Sequence, residues 1–186
     1  MKKIILISLL LVFGWLSAGA VDLNKDNRDP QYVESIVKRS QKIVDKLGLT
    51  DVKVAEDVRN VIANRYFELN DIYEVRDAKV KKIKESGLSG AAKDDALKAA
   101  EYEKDAALYR SHFAYPANLS LFLDEKQIEV VKDGMTYGVV KVTYDATIDM
   151  IPSLKEEEKA QIYAWLIEAR EFALDAENSD KKHAAF

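Results

Sequence analysis

Apolar side chains recur at spacings of three and four along most of this chain, the pattern of helices that bury one face. Asp29-Pro30 opens the first helix, with Asp as N-cap and Pro at the first helical position; Val33, Ile36, Val37, Ile43, Val44 and Leu47 follow, and Gly48 closes it. Thr50 reads as the cap of a second helix carrying Ala55, Val58, Ile62, Tyr66, Leu69, Tyr73, Val80 and Ile83, with no breaker before Ser86-Gly87. A helix of that length implies a coiled-coil-like hairpin. Arg76 falls on the same stripe, as a buried charge with a partner or as a sign that the stripe drifts off the core. Gly87 to Gly90 (GLSG) makes the turn, and Ala91 to about Phe113 returns as an Ala-rich helix. Its small side chains either admit a close partner or are strong helix formers on an exposed face.

Beyond the hairpin, Pro116 interrupts the helix, and Asp124 caps a short element that runs through Val131 and ends at Gly134. Thr136 to Thr147 (TYGVVKVTYDAT) is rich in β-branched and aromatic residues, which predicts an extended segment or one edge strand with nothing to pair with. The last helix spans Leu154 to Ala176, with Ile162, Trp165, Leu166, Ala169, Phe172 and Ala173 as its apolar stripe, and the tail from Asn178 to Phe186 reads as loosely held. The expected fold is all-α: a long hairpin, residues 50–86 against 91–113, with further packed helices, the last one alongside, and one short extended segment. Leu49-Thr50-Asp51, Leu123-Asp124-Glu125 and Leu154-Lys155-Glu156 echo one another ahead of helices, which local capping explains without duplication.

The N-terminus departs from this texture. Lys2 and Lys3 precede an apolar run from Ile4 to Leu16, and Ser17-Ala18-Gly19-Ala20 ends it with small residues that fit the A-x-A cleavage pattern. The run falls short of the roughly 20 residues that span a bilayer, and no later segment is apolar enough to do so. Residues 1–20 are therefore expected to be a signal peptide cleaved after Ala20, with 21–186 a single helical domain in the periplasm or outside the cell.

Two of the 28 basic residues lie in that leader, so the remaining 166 residues carry 26 basic against 32 acidic side chains, a net charge near −6. Such acidity argues against nucleic acid and anionic membrane surfaces. Zero cysteines in an oxidising compartment leaves stability to packing alone. With no cysteine and only His112 and His183, neither a thiolate nor a histidine metal site is expected, and no cofactor is implied. There is no phosphate loop, nucleophile elbow or Cys-His pair. Glu156-Glu157-Glu158 reads as a solvated helix start.

DGMTYGVVKVTY (Asp133–Tyr144), DMIPSLKEEEKAQIYAWLIEARE (Asp149–Glu171) and KHAAF at the end resemble a secreted bacterial family known only as domain of unknown function 3826, with the N-terminal half (GLTD onward) matching more loosely. The resemblance implies no established activity. Members are at times labelled superoxide reductases, enzymes that hold iron through four histidines and a cysteine; two histidines and no cysteine cannot supply that set. The family also implies a Trp where Ala185 stands and a further basic and aromatic segment, so the surface near Phe186 is expected to differ. A shorter resemblance links Leu49-Thr50-Asp51 and Leu123-Asp124-Glu125-Lys126-Gln127 to the LTxxQ signature of the Spy and CpxP periplasmic chaperones, and capping alone can generate it.

Candidate binding residues cluster where the texture changes: Tyr137, Lys141, Tyr144 and Asp145, faced by Trp165, Glu168, Arg170 and Glu171 from the last helix. Aromatics beside carboxylates suit carbohydrate. The competing reading makes Tyr137, Tyr144 and Trp165 core, with Glu168 or Glu171 paired to Arg170 or Lys141, and it carries more weight because large aromatics are usually mostly buried. Two functions remain: a non-catalytic accessory, binding or chaperone-like protein whose partners are envelope proteins or glycans, or a carboxylate/tyrosine enzyme acting on a glycan.

Overall fold

The computed structural model describes residues 20–186; apart from Ala20, the leader lies outside the described residues. A strap from Val21 to Arg28 leads into α1 (Pro30–Val44), where Asp29 caps and Pro30 takes the first position. α2 (Val52–Glu85) is capped by Asp51 rather than Thr50, because the Asp51 carboxylate reaches the backbone N–H groups of both Lys53 and Val54. Ser86 and left-handed Gly87 end it, and α3 (Gly90–His112) returns against it as the expected hairpin. The break falls at Phe113, three residues ahead of Pro116, and α4 (Ala114–Leu119) restarts directly after it with Pro116 in its first turn, where a missing N–H costs no helical hydrogen bond. α5 (Glu125–Met135) opens on a reciprocal capping box between Asp124 and Gln127. α6 (Val139–Met150), α7 (Glu156–Leu174) and α8 (Ser179–Ala184) follow, and the fold is all-helical among the described residues.

The core lies at one end of the hairpin. Ile36, Ile43 and Val44 of α1, Val58, Ile62 and Phe67 of α2, Leu119 of α4 and Val131 and Met135 of α5 pack together there. The distal half of α2 leaves this core and is joined to α3 largely by charge. Arg76 meets Asp77, Glu101 and Glu177, and Lys79 meets Glu103. The stripe does drift at Arg76, which keeps its charge through those partners.

Several expectations are corrected. Residues 139–150 are helical, not extended. A lone strand has no partner for its backbone N–H and C=O groups, whereas a helix satisfies them internally, and Val140, Thr143, Tyr144 and Thr147 then fall on the inner face of α6. Gly134 does not end α5; it lies inside it, where a Cβ would stand 3.0 Å from both Cγ1 and Cγ2 of Ile43, so the glycine is where α1 and α5 approach closely. α7 packs against α5, α6 and α8 rather than alongside the long hairpin. Its inner face is Leu166, Arg170, Ala173 and Leu174, leaving Trp165 60% and Phe172 70% exposed. Trp165 is therefore not the packed core residue its size suggested. The tail is held: Asn178 caps α8, and Lys182 is buried with its ammonium donating to the carbonyls of Ala173 (3.1 Å) and Leu174 (3.4 Å) at the end of α7.

Candidate functional site

One buried cation ties α7 to α5. Arg170, 2% exposed, reaches from α7 to Asp133 (2.7 Å) and Glu129 on α5 and to Glu171 (3.2 Å), while Lys132 on α5 closes the ring onto Glu171 (3.1 Å). Burial alone lowers an arginine's pKa; the hydrogen bonds to Asp133 and Glu129 more than reverse it, so Arg170 stays charged. This pin fixes the rotation of α7. Trp165 stands five residues from Arg170, about 140° around the helix at 3.6 residues per turn, and so points away from α5.

The residues expected to form one surface separate into five arrangements. Tyr137 occupies the left-handed region (φ 62°) at the end of α5, where Gly138 N–H donates 2.8 Å to the Asp133 carbonyl to close the turn. A bulky residue there is an outlier, and its ring is stacked on His183 of α8, with centroids 5.4 Å apart and planes at 16°. Lys141 and Asp145 pair with each other on the exposed side of α6 (2.5 Å), and that hydrogen bond raises the Lys141 pKa. Tyr144 is half-buried edge-on to Tyr163 of α7 (5.3 Å). Trp165 and Glu168 face outward from α7, joined by Gln161 and Phe172 at helical spacing, whereas Arg170 and Glu171 belong to the buried pin.

Sequence reasoning missed two other features. At the meeting of α2, α3 and the end of α7, Arg65 donates to Glu68 (2.6 Å), Ser111 (2.8 Å) and Asp175 (2.5 Å), with His112 Nδ1 2.8 Å from the same Asp175 carboxylate and the Tyr73 hydroxyl donating to its backbone carbonyl (2.9 Å). These residues lie as much as 110 positions apart, so no local motif announces them. Beside this junction a groove of about 770 Å³ opens between the strap, α2, α3 and α4, past Asn64, Arg65, Arg110 and Phe122. A second space of about 390 Å³ continues along the hairpin past Ala100 and Ala107. The Ala-rich texture of α3 was the available signal, since small side chains leave room. Of the charges that line the groove, Arg65 pairs with Glu68 and Asp71 with Arg28, while Arg110 has no ion-pair partner among the described residues.

Among the described residues, no three His, Cys, Asp or Glu side chains converge as a metal cage, and no helix is long and apolar enough to cross a membrane. The strongest perturbation of a lysine is at Lys182, where burial lowers its pKa to about 8. The residue is 5% exposed and its Nζ donates to two backbone carbonyls at the end of α7, which makes it a structural clamp.

No curated protein matches the chain. The model of the family described as "Protein of unknown function (DUF3826)" matches residues 33–186, most of the sequence and every helix after the start of α1, so the chain belongs to that family.

Proposed function

We propose that this is an exported, non-catalytic binding protein of the cell envelope, and that the outer face of α7 is its contact surface. The observation that carries the reading is the outward pair Trp165 and Phe172, seven residues apart on one helix face with Gln161 and Glu168 beside them. Two rings about 10 Å apart along a helix axis, at 1.5 Å per residue, match the length of a disaccharide repeat. Sugar C–H faces stack on the rings, and the Glu168 carboxylate and Gln161 amide accept and donate hydrogen bonds to hydroxyls. A helical protein partner would favour aliphatic side chains in place of Gln161 and Glu168, so glycan is the better ligand class for this face.

The non-catalytic reading is supported by the state of the candidate carboxylates. Glycoside hydrolysis needs two of them facing one bond, whereas Asp145 is paired to Lys141 and Glu171 to Lys132 and Arg170. Trp15 and Trp165 are the only two tryptophans, so the chain without its leader has one, and its fluorescence reports this face directly. A panel of envelope and plant-wall oligosaccharides should include one that shifts that emission saturably. Trp165→Ala and Phe172→Ala should each weaken binding of that sugar at least about tenfold, the equivalent of 1.4 kcal/mol. Absence of any saturable shift overturns the glycan reading, and release of shortened sugar products overturns the non-catalytic one.

A further inference from the structure

One face of α2 reads the strap residue by residue. Asp57 accepts the backbone N–H of Val21 (2.7 Å), and Asn60 donates to the Val21 carbonyl (2.8 Å). Asn64 both accepts from the Asn24 N–H and donates to the Asp22 carbonyl, each at 2.8 Å. Phe67 lies beneath the Arg28 guanidinium (4.6 Å), and Asp71 takes both of its terminal nitrogens (2.7 and 2.6 Å). Positions 57, 60, 64, 67 and 71 form a continuous helical stripe, and Val21 and Leu23 pack on the core below it. The strap therefore has one register, and that register begins at Val21.

The first contact is unlike the others. Asp57 is 4% exposed, and its carboxylate has, among the described residues, only that backbone N–H as a hydrogen-bond partner. A buried carboxylate met by a neutral donor lacks the cation that burial ordinarily demands. The nearby guanidiniums are engaged elsewhere: Arg59 holds Glu56 and the Asn60 side chain, and Arg65 holds Glu68 and Asp175. The nitrogen that Asp57 touches belongs to the residue following Ala20, where the Ala18-Gly19-Ala20 pattern places the scissile bond.

We propose that removal of the leader between Ala20 and Val21 creates an α-ammonium group that ion-pairs with buried Asp57, so that processing locks the strap onto α2. This rests on the reading of residues 1–20 as an export signal. A signal-type endopeptidase adds one water across the Ala20–Val21 peptide bond: the C–N bond breaks, the water oxygen stays on Ala20, which leaves as a carboxylate, and both water hydrogens end on the Val21 nitrogen, which becomes –NH3+. The nitrogen is already 2.7 Å from the carboxylate oxygen, so the ion pair needs no rearrangement. The precursor has the same fold without the charge pair, and the processed chain has both.

The test compares three forms of the chain: one starting at Val21 with a free amine, the same chain with that α-amine acetylated, and one starting at Ala20, which moves the charge one residue away. The N-terminus of protein recovered from the exported fraction should be Val21. The free-amine form should melt on the order of 5 °C above the other two, the size expected of a charge-assisted hydrogen bond in a domain of this length. In Asp57→Asn, which keeps the side-chain shape, the gap should close. Equal melting of all three wild-type forms overturns the proposal even if the Asn variant does not fold, as does an exported chain starting at another residue or a gap that persists in Asp57→Asn. Glycan binding at α7 is measured separately, so failure of either reading leaves the other standing.

Discussion

At the scale of single residues, size and composition misled where the neighbours decide. Trp165 is large and apolar, and burial would make its truncation cost about 3–5 kcal/mol. Its 60% exposure moves the expectation to under about 1 kcal/mol in a urea melt, the ordinary range for a surface change; the free protein should show tryptophan emission like that of the amino acid in water. A loss of several kcal/mol would mean that the ring is packed and the α7 face closed. Gly134 runs the opposite way. Propensity alone makes Gly→Ala in a helix stabilising by about 1 kcal/mol, yet the new methyl would meet two carbons of Ile43 at 3.0 Å, and Ile43 is buried and β-branched with nowhere to turn. Gly134→Ala should therefore destabilise by about 1–3 kcal/mol, as overpacking does. A stabilised variant would show that α1 and α5 can move apart freely.

At the scale of elements, what was legible in the sequence was whatever local chemistry controls. Asp29-Pro30, Ser86-Gly87 and Asp124 with Gln127 announce helix ends because the groups that satisfy the terminal N–H and C=O groups lie within a few residues of them. The helical state of α6 was illegible because β-branched residues favour a strand only where a second strand exists, and that is a property of the whole chain. The rotation of α7 was illegible for the same reason: Arg170 reads as a surface charge until Glu129 and Asp133 of another helix are seen around it. Arg170→Met should then cost about 3 kcal/mol, the low end for breaking a buried pair because the abandoned carboxylates are half exposed and can hydrate. Arg170→Lys should not restore the loss, since one ammonium cannot reach the carboxylates from two directions as the guanidinium does. Chemical denaturation of both variants checks the pair, and full rescue by Lys would reduce the pin to simple charge.

At the scale of the molecule, the hairpin was legible from periodicity, but the site was not, because the candidate residues come from α6, α7 and the turn before α6, whose mutual packing and rotation the sequence does not encode locally. The same long-range closure makes stability depend on pH through the buried lysine of α8, a segment that reads as a loose polar tail. Burial lowers Lys182 to about 8 in the folded chain against an ordinary 10.5. Between those values the unfolded chain holds the proton and the folded chain does not, so unfolding takes up a proton and stability rises with pH. Below pH 8 both states are charged and the full penalty of the buried ammonium is present; above 10.5 it is gone. Tyr66, raised to about 12 by burial, acts the other way, but only above the ordinary phenol value of 10. The window from pH 8 to 9.5 thus lies below the tyrosines, and subtraction of Lys182→Met cancels an α-amino group that titrates within it. The stability of the wild-type chain, measured relative to Lys182→Met in parallel urea melts, should increase by about 1–2 kcal/mol across it, given 1.36 kcal/mol per unit. A difference that stays flat would show that Lys182 keeps its proton through water reaching the α7 carbonyls, and that the end of the chain is open rather than sealed.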